Sequence, residues 1–261
     1  MRATLVIPTL NEAASIGHVL RTFQRAAEAA NPVLFPQDPL DWEVLVVDGR
    51  SADGTADIAA DLGARVILEA RKGYGRAYRT GFAEASGEVL ATLDGDATYP
   101  SEEVPRLVRY LLDRDLDFLT CDRLASLDPK AMTFEHRIGN RLLNLFMRLA
   151  YHGYFRAAGL STIRDSQSGM WVFRRSVLSK VSLTQDGMPM SEELKLEVVL
   201  RGLRFEEVPI AYAERWGAPK LSSWRDGRQN LEFLLTKRLA IHRQGLRPGA
   251  PRARPPGVAP R

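Results

Sequence analysis

Glu88-Val-Leu-Ala-Thr-Leu-Asp-Gly-Asp96 reads as a short buried strand that delivers two carboxylates, Asp94 and Asp96, onto the loop at its C-terminal end. In extended backbone, residues i and i+2 point the same way, so both acids can face one cation. Mg²⁺ and Mn²⁺ favour oxygen ligands, taking one or two protein carboxylates and substrate phosphates for the rest. The pattern suits chemistry on a nucleoside diphosphate. Asp-Gly-Asp is also ordinary turn chemistry, and the tripeptide alone leaves that reading open.

Outward from this strand, the first 120 residues alternate strand and helix signals. Ala3–Ile7, Glu43–Val47, Arg65–Leu68 and Asp117–Cys121 are apolar strand runs. Between them, Glu12 to about Ala30 carries Ile16, Val19, Leu20 and Phe23 at helical spacing. Thr55–Leu62, Arg76–Ala85 and Ser101–Leu112 read as further helices. Such β-α repetition predicts an α/β fold, a single Rossmann-like domain with a mostly parallel sheet flanked by helices. Ligands of open sheets bind beyond the carboxyl ends of the strands, where Pro8, Asp48 and Asp94 fall.

After residue 122 the pattern changes. Glu135–Tyr151 is a helix with Arg137, Arg141, Asn144 and Arg148 on one narrow stripe and apolar residues over most of the remainder. Two readings stand: a basic amphipathic helix lying in a membrane interface, or a core-packed helix with its arginines in water. A strand at Met170–Phe173, a helix at Ser191–Leu200, a strand at Phe205–Tyr212 and a helix from Arg225 to His242 complete the pattern.

Composition narrows the class. The chain has 261 residues, 45% of them hydrophobic, enough for a real core. Its net charge of +4 is matched by four arginines in the acid-free stretch 245–261, leaving a neutral body and no nucleic-acid footprint. That Pro-rich tail reads as disordered, either plainly solvated or weakly drawn to anionic lipid heads. One cysteine, Cys121, permits no internal disulfide and suits a reducing compartment. No apolar stretch reaches the ~18 residues of a spanning helix, and the opening is too quickly polar for a secretory signal. The expectation is a cytoplasmic protein, peripheral at the inner face of the membrane or held by a separate membrane partner.

Asp48 ends a strand just before a helix, where a carboxylate can accept from a nucleobase N–H or serve only as a turn residue. Arg71-Lys72-Gly73-Tyr74-Gly75-Arg76 could let backbone and Lys72 approach a phosphate. It is no dinucleotide fingerprint, because Tyr78 stands at the third glycine, and no P-loop occurs.

Val6-Ile-Pro-Thr-Leu-Asn-Glu12, Val46-Val-Asp-Gly-Arg-Ser-Ala-Asp-Gly-Thr55 and Leu93-Asp-Gly-Asp-Ala-Thr-Tyr-Pro100 occur in order. Together they resemble the family 2 glycosyltransferases of the GT-A fold. Asp165-Ser-Gln-Ser-Gly169 and Glu207-Val-Pro-Ile210 before Arg215-Trp-Gly-Ala-Pro-Lys-Leu221 are similar to the polyprenyl-phosphate branch, typified by dolichyl-phosphate mannose synthase. The resemblance covers roughly residues 3–235, implying a catalytic domain over 1–235 with an amphipathic interface helix at 134–155. The end of the last helix and the basic tail then make up 236–261.

The resemblance implies roles position by position. Pro8, Glu12 and Asp48 would line the nucleoside pocket, with Lys72 and Gly95 beside the nucleotide sugar. Asp94 and Asp96 would hold Mg²⁺ or Mn²⁺ on the donor diphosphate, with Thr98 as a further metal-side contact. Arg215 and Lys220 would clamp that diphosphate, and Arg123 and Arg137 would approach an acceptor phosphate. The chain departs from the family at Gly49-Arg50, at Thr98 and at Pro219. The implied reaction is metal-dependent inverting transfer of a hexose, from a GDP-mannose or UDP-glucose type donor, to a polyprenyl phosphate. A second reading sends the sugar to a hydroxyl, with Glu192 or Glu193 as base rather than as helix-dipole partner. A third, non-catalytic reading is a sugar-nucleotide binder or membrane scaffold.

Overall fold

The computed structural model describes residues 1–127, 134–217 and 223–243. Central parallel strands are covered on both faces and read as near-continuous apolar runs. The stretch Arg2–Thr9 obeys this and forms β1, buried from Ala3 to Ile7. It is followed by α1 (Ile16–Leu34), β2 (Asp41–Asp48), α2 (Thr55–Asp61), β3 (Arg65–Leu68), α3 (Tyr74–Glu84) and β4 (Val89–Thr92). Next come α4 (Val104–Asp113), β5 (Phe118–Leu127), α5 (Phe134–Ala157), β6 (Trp171–Arg174), α6 (Met190–Leu200), β7 (Phe205–Tyr212) and α7 (Ser223–Arg243).

The described strands make one sheet in the order β3-β2-β1-β4-β6-β5-β7. The expected α/β sheet flanked by helices is present, with one reversal: β6 runs antiparallel to β4 and β5. Alternate residues of β1 point to opposite faces and nucleate two cores. Leu5 and Ile7 join the α1 and α4 side with Val19, Leu20, Phe23 and Val108. Val6 joins the other side, where α3, α5, α6 and α7 bring Tyr78, Met147, Tyr151, Leu194 and Leu234.

Register brings the carboxyl ends together, because Thr9 pairs with Asp48 and Val6 with Thr92. The loops leaving β1, β2 and β4 each contain a non-glycine residue at positive φ: Asn11 at 52°, Arg50 at 63° and Ala97 at 63°. Such conformations cost of order 1–3 kcal/mol and persist where surrounding contacts over-determine them. Here the β1 and β2 loops are stitched together, with the Asn11 N–H donating to Ser51 Oγ and the Ala52 N–H to Asn11 Oδ1.

Helix α5 packs on the core, as the second of the two expectations has it, but its outer face is not purely polar. It buries Met147, Tyr151 and Phe155 in the core, yet the surface it turns to water is apolar as well as basic. Ile138, Leu142, Leu145 and Leu149 are exposed there beside Arg141 and Arg148. Helix α7 continues to Arg243 and still buries Ile241. Among the described residues, no helix is long and apolar enough to cross a membrane.

Candidate active site

Asp94 and Asp96 follow β4 directly, and the tertiary structure fixes each in a different way. The Asp96 carboxylate is buried, and its Oδ1 accepts from the Thr98 hydroxyl at 2.6 Å and the Thr98 N–H at 3.1 Å. Thr98, expected as a metal-side contact, thus spends its hydroxyl proton on orienting Asp96. The other oxygen, Oδ2, has no aligned hydrogen-bond donor and lies 2.5 Å from an Arg215 guanidinium nitrogen. Asp94 keeps part of its surface open to the cleft. Its Oδ1 accepts from the Tyr74 hydroxyl at 3.2 Å and the Tyr78 hydroxyl at 3.3 Å. Burial, and then the neighbouring charge of Asp96, push the Asp94 pKa up to about 7, against the attraction of Arg215 and Arg123.

Two desolvated carboxylates in this relation are poorly neutralised by protein alone. The raised Asp94, partly open to the cleft, and Asp96 Oδ2, paired with the Arg215 guanidinium, fit a divalent cation that would relieve the repulsion between the two carboxylates. No cluster of three or more His, Cys, Asp or Glu is found among the described residues. A cation held here would have the two carboxylates as its protein ligands, with phosphate and water filling the remaining positions.

Arg215 comes from the stretch after β7 and reaches the acids through backbone pairing. The Ala213 N–H donates to the Thr98 carbonyl at 2.9 Å, and the Trp216 N–H to the Asp96 carbonyl at 3.1 Å. Trp216 also stacks on His18 of α1, with ring centroids 4.7 Å apart. Lys220 lies outside the described residues.

At the carboxyl ends of β1 and β2, Asp48 is fully buried. Its Oδ1 accepts from the hydroxyls of Thr9 at 3.0 Å and Ser51 at 2.5 Å, and its Oδ2 from the Ser51 N–H at 2.8 Å. Pro8 lies one residue before Thr9 on β1. Glu12 is buried, and its backbone N–H donates to Thr55 Oγ1 at 2.8 Å. Gly95 is a close approach, since a Cβ there would meet Thr9 Cγ2 at 2.9 Å and Glu12 Cγ at 3.5 Å. The structure therefore gathers Pro8, Glu12, Asp48, Asp94, Gly95, Asp96 and Arg215 at one sheet edge.

The glycines beside Lys72 have a different use from phosphate approach. A Cβ on Gly73 would meet the Asp186 carbonyl at 2.1 Å, and one on Gly75 the Gln185 carbonyl at 2.4 Å. The Arg76 N–H donates to that Asp186 carbonyl, so the start of α3 is packed by the chain's own loop while Lys72 stays exposed.

On the opposite wall, Arg123 is buried and bidentate to Asp165, with Nε–Oδ2 at 2.7 Å and Nη2–Oδ1 at 2.8 Å. Burial pushes the Asp165 carboxyl up, yet Arg123 holds it below the usual range. One edge of the Arg123 guanidinium is thereby used inside the protein, although its charge still acts on Asp94. Arg137 lies on α5 seven residues before Asn144, on the same helix face. The Asn144 amide donates to the Arg164 carbonyl and accepts from the Ser166 N–H, tying α5 to this wall. Glu192 is fully buried, its Oε1 accepts from Gln167 Nε2 at 2.5 Å, and burial raises its pKa well above the carboxylate range. Glu193 accepts from the N–H groups of Thr184 and Gln185 and from the Thr184 hydroxyl, anchoring that loop.

Sequence reasoning missed Tyr74, Gly169 and Trp216 as parts of this arrangement. Tyr78 was noticed only as a broken glycine pattern. Gly169 and Trp216 lie inside the quoted stretches 165–169 and 215–221 without a role of their own there, because each of these residues acts through contacts distant in sequence.

A parallel-centred sheet with acids at its carboxyl edge is the architecture of GT-A glycosyltransferases. Glucosyl-3-phosphoglycerate synthase from Mycobacterium tuberculosis, solved with Mn²⁺, UDP and glucosyl-3-phosphoglycerate, has this fold. Its TM-score to this chain is 0.70 at 22% identity, over 92% of this chain and 80% of that one. The model of glycosyl transferase family 2 matches residues 4–182, and the chain belongs to that family. It is 34% identical, over 89% of its length, to the low-salt glycan biosynthesis hexosyltransferase of Haloferax volcanii, of which it spans 52%. It is 33% identical, over 85% of its length, to a dolichyl-phosphate hexose transferase of the same organism, of which it spans 88%.

Proposed function

We propose that this chain transfers a hexose, with inversion, from a nucleoside diphosphate sugar to a polyprenyl phosphate. The observation that carries the donor side is the meeting of Asp94, Asp96 and Arg215 at the carboxyl edge of β4. The acceptor is supported by the dolichyl-phosphate hexose transferase relative. It is also supported by the placing of Glu192 and Glu193, one of which the hydroxyl-transfer reading needs as a base. Both are buried, Glu192 accepting from Gln167 and Glu193 from Thr184 and Gln185, so each carboxylate is engaged inside the protein.

Asp94 and Asp96 would hold Mg²⁺ or Mn²⁺, which when bound supplies Lewis-acid stabilisation to the departing diphosphate. Asp48 and Glu12 border the nucleoside end. Arg215 adds fixed positive charge where negative charge develops on the leaving group, and it acts most strongly once water is excluded. Arg123, locked by Asp165, contributes a second preorganised charge on the acceptor wall, with Arg137 farther along it. The acceptor is a phosphate monoester with a second pKa of about 6, so it attacks as a dianion without a protein base. Its oxygen forms a bond to the anomeric carbon as the bond to the diphosphate oxygen breaks. The electron pair leaves on the nucleoside diphosphate.

The test is a donor screen, GDP-mannose and UDP-glucose included, with short polyprenyl phosphates and Mg²⁺ or Mn²⁺, reading lipid-linked hexose by mass spectrometry. Metal-dependent product that vanishes in Asp96→Asn is expected. Transfer only to hydroxyl acceptors, or none with any donor, overturns the proposal.

A further inference from the structure

Helix α6 buries a charge that none of the steps above uses. Lys195 is fully buried between Leu194 and Leu196, on a helix whose residues are buried from Met190 to Val199. A leucine would fill the same place without the cost of desolvating an ammonium group. What the lysine adds is donors. Its Nζ donates to the Asp165 carbonyl at 2.6 Å and to the Ser166 carbonyl at 3.1 Å. Burial pushes its pKa down to about 8, with Asp165, Glu207 and Glu192 attracting and Arg123 repelling, so the group is still charged at neutral pH.

The two carbonyls belong to the turn that carries the Arg123 lock. The peptide that follows Asp165 is gripped at its carbonyl by Lys195 and at its N–H, that of Ser166, by Asn144 Oδ1 at 3.1 Å. The peptide before Asp165 is held at its N–H by Glu207 Oε1 at 2.9 Å. With both flanking planes fixed, the direction of the Asp165 side chain is fixed too. That side chain is the bidentate partner of Arg123 and also accepts from the Arg123 backbone N–H at 3.0 Å. Against burial, which raises it, Arg123 and then Lys195 hold the Asp165 carboxyl below its usual range.

We propose that Lys195 is a positioning residue for the acceptor: from beneath the wall it fixes the 165–166 backbone, so that Asp165 holds the Arg123 guanidinium toward the incoming phosphate. The assignment rests on the acceptor reading above, which gives Arg123 that partner. Lys195 itself has no exposed surface and touches no substrate, so its effect passes through Arg123. The donor side is built from other segments, where Asp96 and Arg215 are held by Thr98 and by each other. Loss of Lys195 should therefore weaken acceptor binding and leave the donor side in place.

Lys195→Met keeps the length of the side chain and removes the charge and the donors. With a short polyprenyl phosphate, the acceptor KM should rise about tenfold or more, while donor KM and kcat at saturating acceptor stay within about threefold. Hydrogen exchange should quicken at the amides of residues 165–169 and stay as in the parent in β1 and β4. In an Arg123→Gln background the same substitution should change the acceptor KM less than about twofold, because the group it acts through is gone. Should Lys195→Met not fold, Lys195→Gln, which keeps an amide donor for one carbonyl, carries the same comparison. An acceptor KM that stays at the parent's value overturns the proposal. So does an equal rise with Arg123 present and replaced, or a loss spread evenly over kcat and both KM values. If the parent itself forms no lipid-linked hexose, the acceptor reading fails and the assignment falls with it, a result seen in the parent rather than in the variants.

Discussion

Gly169→Ala examines how Asp94 is held. A Cβ at this position would stand 2.2 Å from the Tyr74 hydroxyl oxygen, and 3.4 Å is where ordinary contact begins. The backbone cannot easily give way. The Gly169 N–H donates to the Tyr99 hydroxyl at 2.7 Å and its carbonyl accepts from Thr92 Oγ1 at 2.7 Å. The Tyr74 ring must therefore retreat and release Asp94 Oδ1, 3.2 Å away. At pH 8, above the raised Asp94 pKa of about 7, the acceptor is charged, and losing a hydrogen bond to it costs about 1.5–3 kcal/mol. Overpacking adds about 1–3 kcal/mol, so about 3 kcal/mol is expected for the single variant after partial relaxation. Tyr74→Phe alone removes only the hydrogen bond, costing about 2 kcal/mol by the same rule. In the double variant the clashing oxygen is gone, and the remaining Cβ contacts with Asp94, at 3.4 and 3.5 Å, are ordinary. Alanine should then cost about 1 kcal/mol or less, a coupling of about 2 kcal/mol between the two positions. Urea midpoints of the four proteins at constant m-value measure it. Costs that add to within about 0.5 kcal/mol would refute the reasoning, because the two groups would then not compete for one space.

Arg215→Ala should lower kcat/KM about 10²- to 10³-fold with any accepted donor, as expected for a fixed charge at the leaving group. A loss under tenfold removes it from that role. Glu192→Gln should keep turnover within about threefold, because Gln has the same size in this fully buried position and can still accept from Gln167; a loss near 10²-fold restores the hydroxyl-transfer reading. Burial alone would raise Glu43, but hydrogen bonds from Thr4 and Ser86 prevail and hold its pKa at about 2, against 4.5 when unfolded. The folded state then binds fewer protons, so this contribution is complete above pH 4.5 and is lost as pH falls toward 2. Glu43→Gln should flatten that part of the acid-unfolding curve followed by circular dichroism, and an unchanged slope contradicts it.

Periodicity decided much in advance. The apolar runs of β1, β2 and β4 and the helical stripe of α1 are local patterns, and local backbone geometry reads them directly. The spacing of Asp94 and Asp96 likewise put both acids on one loop before any tertiary contact was known. What the sequence could not express was pairing. β6 enters the sheet antiparallel between β4 and β5, a choice made by the partners' surfaces rather than by its own four residues. Glu192 reads in sequence as a base or a first-turn partner of the helix dipole, because its neighbours there do not reveal the Gln167 amide bonded to it.

The order of elements, the α/β class and the acidic loop were thus determined by the chain itself, since each follows from side-chain alternation and turn chemistry over a few residues. Only the tertiary structure brought Arg215 onto Asp96, set Tyr74 and Gly169 against Asp94, and placed Lys195 beneath the turn of Asp165. Those arrangements depend on distant segments meeting across a packed core, and no short-range pattern in sequence encodes the distance between them.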